Sequence, residues 1–470
     1  MNEKGHRSSR SAAPAPRQTG RERGDTIVAL ATAIGRSAVS VVRLSGADAI
    51  RISQRCVTPW PARDRELTRC RVHAPDHPEH AIDDALVAVF AGPRSYTGET
   101  VIEIHGHGGR YVPVAIEAAL VAAGARPALP GEFTERATLN GKLDLVRAEA
   151  IGAVIDARTR ASHRAAMHAL SGLLTQRYLT LRSDAIGIEA LIAYDIDFPD
   201  EDHGPIARER VGELAMALAE QIHSLVATQP AAILARDGAV VVLAGPPNAG
   251  KSSLLNAMVG EARMIVSDEP GTTRDAVEVL LDLDPWPVRL VDTAGLRTST
   301  GPVERLGIEV SERYLKAADA IVACAETEEA LLEIERRIGE LSTAPIVRVL
   351  TKSDLHPGAR GQDLAAHHVS AVSGDGLTGL QSHIAEIVAA RAGQPADLPP
   401  LVVSARQRSA LEFAERELSL FRTAWSEGTL PAPVAATHLR AAIGALDELI
   451  GAIDVDEVFS RVFATFCGGK

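Results

Sequence analysis

The 470-residue sequence predicts an α/β plus all-α protein: a mixed α/β domain first, then a helical domain in two stretches, with a second α/β domain inserted between them. Three observations carry that prediction. Short apolar runs of β type crowd residues 25–140. Ala-rich, Pro-poor sequence with apolar residues three and four apart fills 143 to about 231, and 404–466 is helical again. Between those stretches an apolar run leads directly into a glycine-rich loop and a plausible helix start. The divisions expected are a disordered tail at 1–24, an N-terminal domain at 25–142, helical parts at 143–235 and 396–470, and the inserted domain at 236–395.

Composition sets the outer limits. Apolar residues make up 46% and charged residues 23%, as in ordinary globular chains, while aromatics at 3% leave the cores to Ala, Val, Leu and Ile. A net charge of −12 argues against a broad, sequence-blind grip on nucleic acid. Cys56, Cys70, Cys324 and Cys467 show no C-x-x-C spacing, so neither a zinc site nor a disulfide framework is indicated. With no apolar run of membrane-spanning length and no secretory h-region in the Ser/Arg/Pro/Ala-rich tail, the expected location is the cytoplasm.

The N-terminal domain reads as strands at Thr26–Leu30, Val39–Leu44, Ala85–Phe90 and Val101–Ile104, with a helix from Tyr111 to Ala123 closed by Gly124. Its loops are expected to hold Tyr96-Thr97-Gly98-Glu99, His105-Gly106-His107-Gly108-Gly109 and Leu129 to Ala137. Two histidines without further ligands read as a tight turn rather than a metal site. The last stretch is too short to bury a good core alone, so it is expected to pack on the helices of 143–231. The inserted domain's last helix shows a stripe of Leu377, Leu380, Ile384, Ile387 and Val388, and Gly393 to Pro400 reads as a linker.

The inserted domain carries the chemistry. Ala239 to Ala244 is an apolar strand, Gly245-Pro246-Pro247-Asn248-Ala249-Gly250-Lys251-Ser252 follows as G-x-x-x-x-G-K-S, and Ser253-Leu254-Leu255 opens a helix. Backbone N–H groups of such a loop cradle phosphates, Lys251 reaches the terminal ones, Ser252 holds Mg²⁺, and the helix dipole adds positive potential. Asp292-Thr293-Ala294-Gly295 after the strand Val288–Val291 is the D-x-x-G sensor of a γ-phosphate. Thr351-Lys352-Ser353-Asp354 follows the strand Ile346–Leu350, and Asp354 would take the two N–H donors of guanine, a pair that adenine lacks. Ser370-Ala371 would meet the guanine oxygen through backbone N–H. In this order the elements identify a Ras-like GTP-binding domain. Thr351 stands where N-K-x-D has Asn, which predicts a weaker or retuned base affinity with the loop still braced by the hydroxyl.

Leu296 occupies the position where many such switches place a water-orienting glutamine, so hydrolysis needs other groups. The segment Val266-Ser267-Asp268-Glu269-Pro270-Gly271-Thr272-Thr273-Arg274-Asp275 suits that need, with Thr273 placed for Mg²⁺ and the Asn248 amide oxygen for a monovalent cation near the β–γ bridge. Arg274 reads equally as a finger in cis or as a salt-bridge partner of Asp275.

Taken together, from about Asp25 onward the chain resembles the MnmE (TrmE) family of tRNA-modification GTPases. The likeness rests on the G-x-P-N-A-G-K-S-S-L-L-N loop, the Gly271–Asp275 switch, Asp292–Arg297, Val303-Glu304-Arg305, Leu129–Phe133, Asp195–Pro199 and the terminal Phe466-Cys467-Gly468-Gly469-Lys470. It implies a K⁺-stimulated GTPase and homodimer, with Asn248, Thr272 and the backbone of Ser267 and Glu269 coordinating K⁺ and Glu304 orienting the attacking water. It implies an N-terminal domain that binds a formyl- or methylene-tetrahydrofolate, with Arg43, Glu103, Lys142 and Lys470 at matching positions, a sensible set for a pterin edge and an anionic tail. It also implies a flavoprotein partner of the MnmG (GidA) type, which would hold FAD and NADH while the pair installs an aminomethyl-type group on the wobble uridine of tRNA. Cys467 reads as a small residue of that terminal motif, with a thiol nucleophile as the other option. Glu269-Pro270 and Gly468 depart from the family's pattern, as Thr351 does. Two other readings are an Era- or EngA-like switch in ribosome assembly and a stand-alone folate-dependent transferase; no G-x-x-G of a KH domain follows residue 400 to support the first.

Overall fold

The structure is a computed structural model that describes residues 24–61, 63–197, 208–261, 264–265, 277–292, 312–355, 366–393, 402, 404–427, 431–451 and 469. The described residues up to Lys142, together with Gly469, form one compact unit, and those from Leu143 onward form a second.

The N-terminal unit is built on strands β1 (Ile27–Leu30), β2 (Gly35–Ser45), β3 (Val57–Thr58), β4 (Thr68–Ala74), β5 (His77–Phe90), β6 (Val101–Gly109) and β7 (Arg126–Pro127), in the sheet order β3-β4-β5-β6-β2-β1-β7. All neighbours are antiparallel except β1 and β7. Alternation decides which face each side chain takes. Val42, Leu44, Ile102 and Ile104 enter a core shared with Ile116, Ala119 and Leu120 of the helix α2 (Val112–Ala122). Arg43 and Glu103 lie on the other face, where Ala29, Arg43, Glu103 and Ala88 align across four strands.

Two expectations for this unit are corrected. Residues 105–109 form no turn: they continue β6 and pair with β2 and β5. The glycines are there because neighbours come close, since a Cβ on Gly106 would stand 2.6 Å from Asp83 Oδ2. His105 bonds Glu103 through Nε2 and His107 bonds Asp83 through Nδ1. The stretch Leu129–Ala137 is no loop either, because it contains the helix α3 (Glu132–Leu139). Gly131 enters it at φ +70°, and Glu132 accepts a bond from the Leu129 N–H, which satisfies a donor ahead of the first turn.

In the second unit, α4 (Leu145–Asp156), α6 (Leu173–Asp197) and α7 (Arg208–Val226) share one hydrophobic core with two late helices, Ala405–Glu427 and Ala432–Ile450. Val146, Tyr178, Leu181, Ile188 and Leu218 pack with Leu411, Phe421, Trp425, Leu439 and Leu446. The helical domain is therefore discontinuous in sequence, as its short last part required. Arg406 ties it further, pairing with Glu149 at 2.7 Å and donating to the carbonyls of Glu448 and Leu449. Where the chain leaves and re-enters this domain, the Val402 N–H donates to Thr228 Oγ1 at 3.3 Å.

The inserted domain has strands β8 (Ala239–Ala244), β9 (Met264–Ile265), β10 (Val277–Leu281), β11 (Val288–Asp292), β12 (Ala320–Ala325), β13 (Ile346–Leu350) and β14 (His367–His368), ordered β14-β13-β12-β8-β11-β10-β9. From β14 to β11 the pairs are parallel; β10 and β9 add an antiparallel edge. Its final helix, Leu377–Ala392, buries Leu377, Leu380, Ile384 and Val388 as the stripe foretold. The helix α8 (Gln229–Asp237) runs through the boundary expected at 235, and its Ala231 and Ala235 join the core of the inserted domain.

Candidate functional site

Buried β-strands aim the functional loops of the inserted domain. β8 lies between β11 and β12, so the loop that follows it opens where strand order reverses, the usual place for a ligand in an open parallel sheet. Gly245 is fixed by packing: a Cβ there would sit 2.3 Å from the Cys324 carbonyl of β12. The Cys324 thiol beside it is pushed up to about 12 by burial, which keeps it neutral and inert. Asn248 takes φ +64°, a left-handed conformation that Asn tolerates, and stands exposed at the loop's tip. Ala249 is buried below it, and Ser253 is exposed on the first turn of the helix α9 (Lys251–Glu261).

Lys251 opens α9 and folds back over the loop, its Nζ donating to the Gly245 and Pro246 carbonyls at 3.0 and 2.8 Å. Ser252 Oγ donates to Asp292 Oδ2 at 2.5 Å, and Asp292 is 2% exposed at the end of β11. A hydroxyl and a buried carboxylate side by side are hard oxygen donors, the set that Mg²⁺ selects. The residue types and their placement fit that ion.

The base-reading loops meet the phosphate loop from the other side. Thr351 Oγ1 donates toward the Ala249 and Ala325 carbonyls, at 2.8 and 3.1 Å. Lys352, at φ +57°, lays its stem over Gly250 and pairs with Glu326 at 2.5 Å. Ser370 Oγ donates to Asp354 Oδ1 at 2.6 Å while accepting from the N–H groups of Val372 and Ser373, an arrangement that holds Asp354 and shapes the turn at Ala371. Ser267, Asp268, Glu269, Pro270, Gly271, Thr272 and Thr273 lie outside the described residues, as do Thr293, Ala294, Gly295, Glu304, Cys467 and Lys470.

In the N-terminal unit a second cluster gathers on the open face of the sheet. Arg43 and Glu103 pair at 2.8 Å, each 18% exposed, and His105 bonds the other oxygen of Glu103 at 3.2 Å. The Arg43 guanidinium lies over the rings of Tyr96 and Phe133, at 5.6 and 5.8 Å from their centroids. Its Nη1 donates to the Gly469 carbonyl at 3.3 Å, so the terminal motif reaches this face. Gly469 fits there for lack of a side chain, since a Cβ would sit 2.4 Å from the Leu30 carbonyl. Lys142 is exposed and donates to the Pro93 carbonyl at 3.0 Å, on the same loop that carries Tyr96. Sequence reasoning named Arg43, Glu103 and Lys142 only by resemblance. It gave no role to Tyr96, Phe133 or Gly469, although all three sit in motifs it had singled out.

Beneath that face Arg136 anchors α3, bonding Asp25, Glu99 and Glu132 while only 12% exposed. Burial opposes ionisation of Asp25 and Glu132, yet bonds from Arg126 and Arg136 outweigh it and hold both carboxyls below their ordinary range.

A largely parallel sheet with a phosphate loop at its switch point, a Ser–Asp pair suited to a hard cation and an aspartate held in place by Ser370 fit a phosphate-loop GTP hydrolase. Two further domains set it within that class. The family model "GTP-binding protein TrmE N-terminus" matches residues 26–142, and "MnmE helical domain" matches 145–467. The chain is 37% identical over 465 residues to the tRNA modification GTPase MnmE of Moorella thermoacetica, covering 95% of this chain and 99% of the relative. It is 40% identical over 452 residues to that of Thermus thermophilus and 39% over 454 to that of Mesorhizobium japonicum, again covering 95% of this chain and 99% of each relative. The chain belongs to the MnmE family of tRNA modification GTPases: it binds and hydrolyses GTP and acts in tRNA modification. Among the described residues no helix is long and apolar enough to cross a membrane.

Proposed function

We propose that this chain is a K⁺-stimulated GTPase that works as a homodimer with a flavoprotein partner, and that the pair installs an aminomethyl or carboxymethylaminomethyl group on the wobble uridine of tRNA using a tetrahydrofolate one-carbon unit. The observation that carries the GTPase half is the Ser252–Asp292 contact at the mouth of the loop spanned by Lys251. In this reading Ser252 and Thr273 hold Mg²⁺, with Asp292 beside them. When bound, the ion neutralises charge on the phosphates. Loop N–H groups from Asn248 to Ser253 orient the phosphates and Lys251 turns from its carbonyls to them. Asp354 reads guanine, aided by the backbone at Ser370 and Ala371 and by the Lys352 stem. Glu304 orients the attacking water and takes up its proton's hydrogen bond, with Gly295 at the γ-phosphate. The Asn248 amide oxygen, with Thr272 and the carbonyls of Ser267 and Glu269, holds K⁺.

The folate half is supported by the chemistry of the Arg43 face. Glu103 offers a carboxylate to a pterin's N–H edge, Tyr96 offers a ring to its π-face, and Arg43, Lys142 and Lys470 offer cations to a glutamyl tail. FAD and NADH belong to the partner. The domain divisions at 25–142, 143–235, 236–395 and 396–470 belong to the same reading, adjusted where α8 crosses 235 and where Gly469 groups with the N-terminal unit.

The test is GTP hydrolysis in KCl against NaCl at equal ionic strength, with Asn248→Ala and Glu304→Ala beside the wild type. A K⁺ preference that vanishes in Asn248→Ala, with Glu304→Ala inactive, supports the mechanism. Equal rates in both salts overturn it and leave Arg274 as the source of positive charge.

A further inference from the structure

We propose that the tip of the β4–β5 hairpin binds a divalent transition-metal ion of the zinc type, held by His77, Glu79 and His80. The proposal rests on neither the GTP site nor the Arg43 face. Among the described residues, this is the one place where three metal-ligating side chains each bring a donor atom within 4.8 Å of the others. The backbone explains why they meet. Strand alternation would put His77 and Glu79 on one face and His80 on the other. The ladder between β4 and β5 is interrupted here: Ala74 pairs with His77 but His73 pairs with Ala81, so Pro78, Glu79 and His80 oppose no residue of β4. Pro78 has no N–H to give to a ladder, and a bulge of this kind re-aims the side chains it carries. All three ligands are exposed.

Their side chains already converge. Glu79 Oε1 stands 3.2 Å from His77 Nδ1 and 3.0 Å from His80 Nδ1. The two imidazole rings lie at 67° to each other with centroids 6.3 Å apart, and both turn their Nδ1 edge to that one oxygen. In a tetrahedral zinc site with bonds of about 2.0–2.1 Å, neighbouring ligand atoms stand about 3.3 Å apart. Both N···O separations are close to that spacing, so small side-chain rotations admit the ion. Each imidazole then keeps its proton on Nε2 and offers the Nδ1 lone pair. Two imidazole nitrogens and one carboxylate oxygen suit zinc or cobalt rather than Mg²⁺, which takes oxygen donors. Water completes the fourth position. His73, the other histidine of the hairpin, is not a ligand: it is buried, with its ring nitrogens engaged by Thr58 Oγ1 and the Ala74 carbonyl. Bound at the tip, the ion ties the bulge to the first residue of β5.

The experiment is titration calorimetry of ZnCl₂ into tag-free, full-length protein, beside His77→Ala, His80→Ala and Glu79→Gln. All three positions are exposed, so without metal the variants should melt as the wild type does. The wild-type isotherm should contain one binding event that is lost in His77→Ala and in His80→Ala. In Glu79→Gln the same event should be at least about tenfold weaker, the least that disturbing a metal's surroundings costs. Excess Mg²⁺ should leave the event in place. Co²⁺ in place of zinc reports the geometry: the strong visible absorption of a tetrahedral centre should appear in the wild type and be missing from both histidine variants. A wild type without the event overturns the proposal. So do histidine variants whose isotherms and Co²⁺ spectra match the wild type, which would place any bound zinc elsewhere, and so does competition by Mg²⁺.

Discussion

The phosphate-loop site and the Arg43 face are built in opposite ways. Within the first, Lys251 and Ser252 are neighbours in sequence, and the loop that carries them follows a single buried strand. Its key contact joins Ser252, in the first turn of α9 after β8, to Asp292 at the end of the neighbouring parallel strand β11. The second joins Arg43 of β2, Glu103 of β6, Tyr96 of a loop, Phe133 of α3 and Gly469, which lies 426 positions from Arg43. A contiguous motif is specified by local backbone chemistry, whereas a dispersed one depends on every element that frames it. The two sites should therefore fail differently.

The largest effect expected is on the dispersed site. Arg136→Met removes a cation from Asp25, Glu99 and Glu132 and leaves Asp25 and Glu132 to Arg126 alone, and breaking a buried ion pair costs about 3–5 kcal/mol. Calorimetry should show the N-terminal unit melting earlier, with GTP affinity kept. Loss of both together would erase the contrast. Ser252→Ala removes the hydroxyl proposed to hold Mg²⁺ without touching the sheet. GTP turnover should fall about 100-fold, equivalent to about 3 kcal/mol of transition-state stabilisation, with the melting temperature unmoved in the absence of nucleotide. Arg43→Lys keeps the charge but loses the fork that reaches Glu103 and the Gly469 carbonyl at once. Binding of 5-formyl-tetrahydrofolate, followed by titration calorimetry, should weaken about tenfold, the order of one charge-assisted hydrogen bond. An unchanged affinity would remove the folate proposal from this face.

The same contrast explains what the sequence made legible. The strand before Gly245, the helix after it and the D-x-x-G strand each carry their meaning in a few adjacent residues, so their places could be read directly. The split helical domain was legible from a size argument: the late helices had too little core of their own, and Leu411 and Phe421 do pack with Tyr178 and Leu181. Residues 105–109 were not legible. Glycines there mark the close approach of Asp83 and Ser37 from neighbouring strands, a reason invisible in any short window. α3 was missed because its start depends on Gly131 at φ +70° and on Glu132 reaching back to Leu129, while its sequence is short and polar. Tyr96 and Phe133 acquire their meaning from Arg43 alone, which approaches them through the fold.

Acid should separate the two regions last and most gently. The folded-state carboxyls of Asp25 and Glu132 ionise below their ordinary range, so the native N-terminal unit binds fewer protons there than its unfolded chain. Their contribution is complete above the ordinary carboxylate range. It drains away as pH falls through the depressed values, because protonation then releases Arg126 and Arg136 from their partners. The melting temperature of the N-terminal unit should decline on that acid side, and Asp25→Asn should flatten the decline while lowering stability at neutral pH. A decline equally steep in Asp25→Asn would mean that the acid sensitivity lies elsewhere. The network under the Arg43 face would then be a packing device whose charges carry little of the stability.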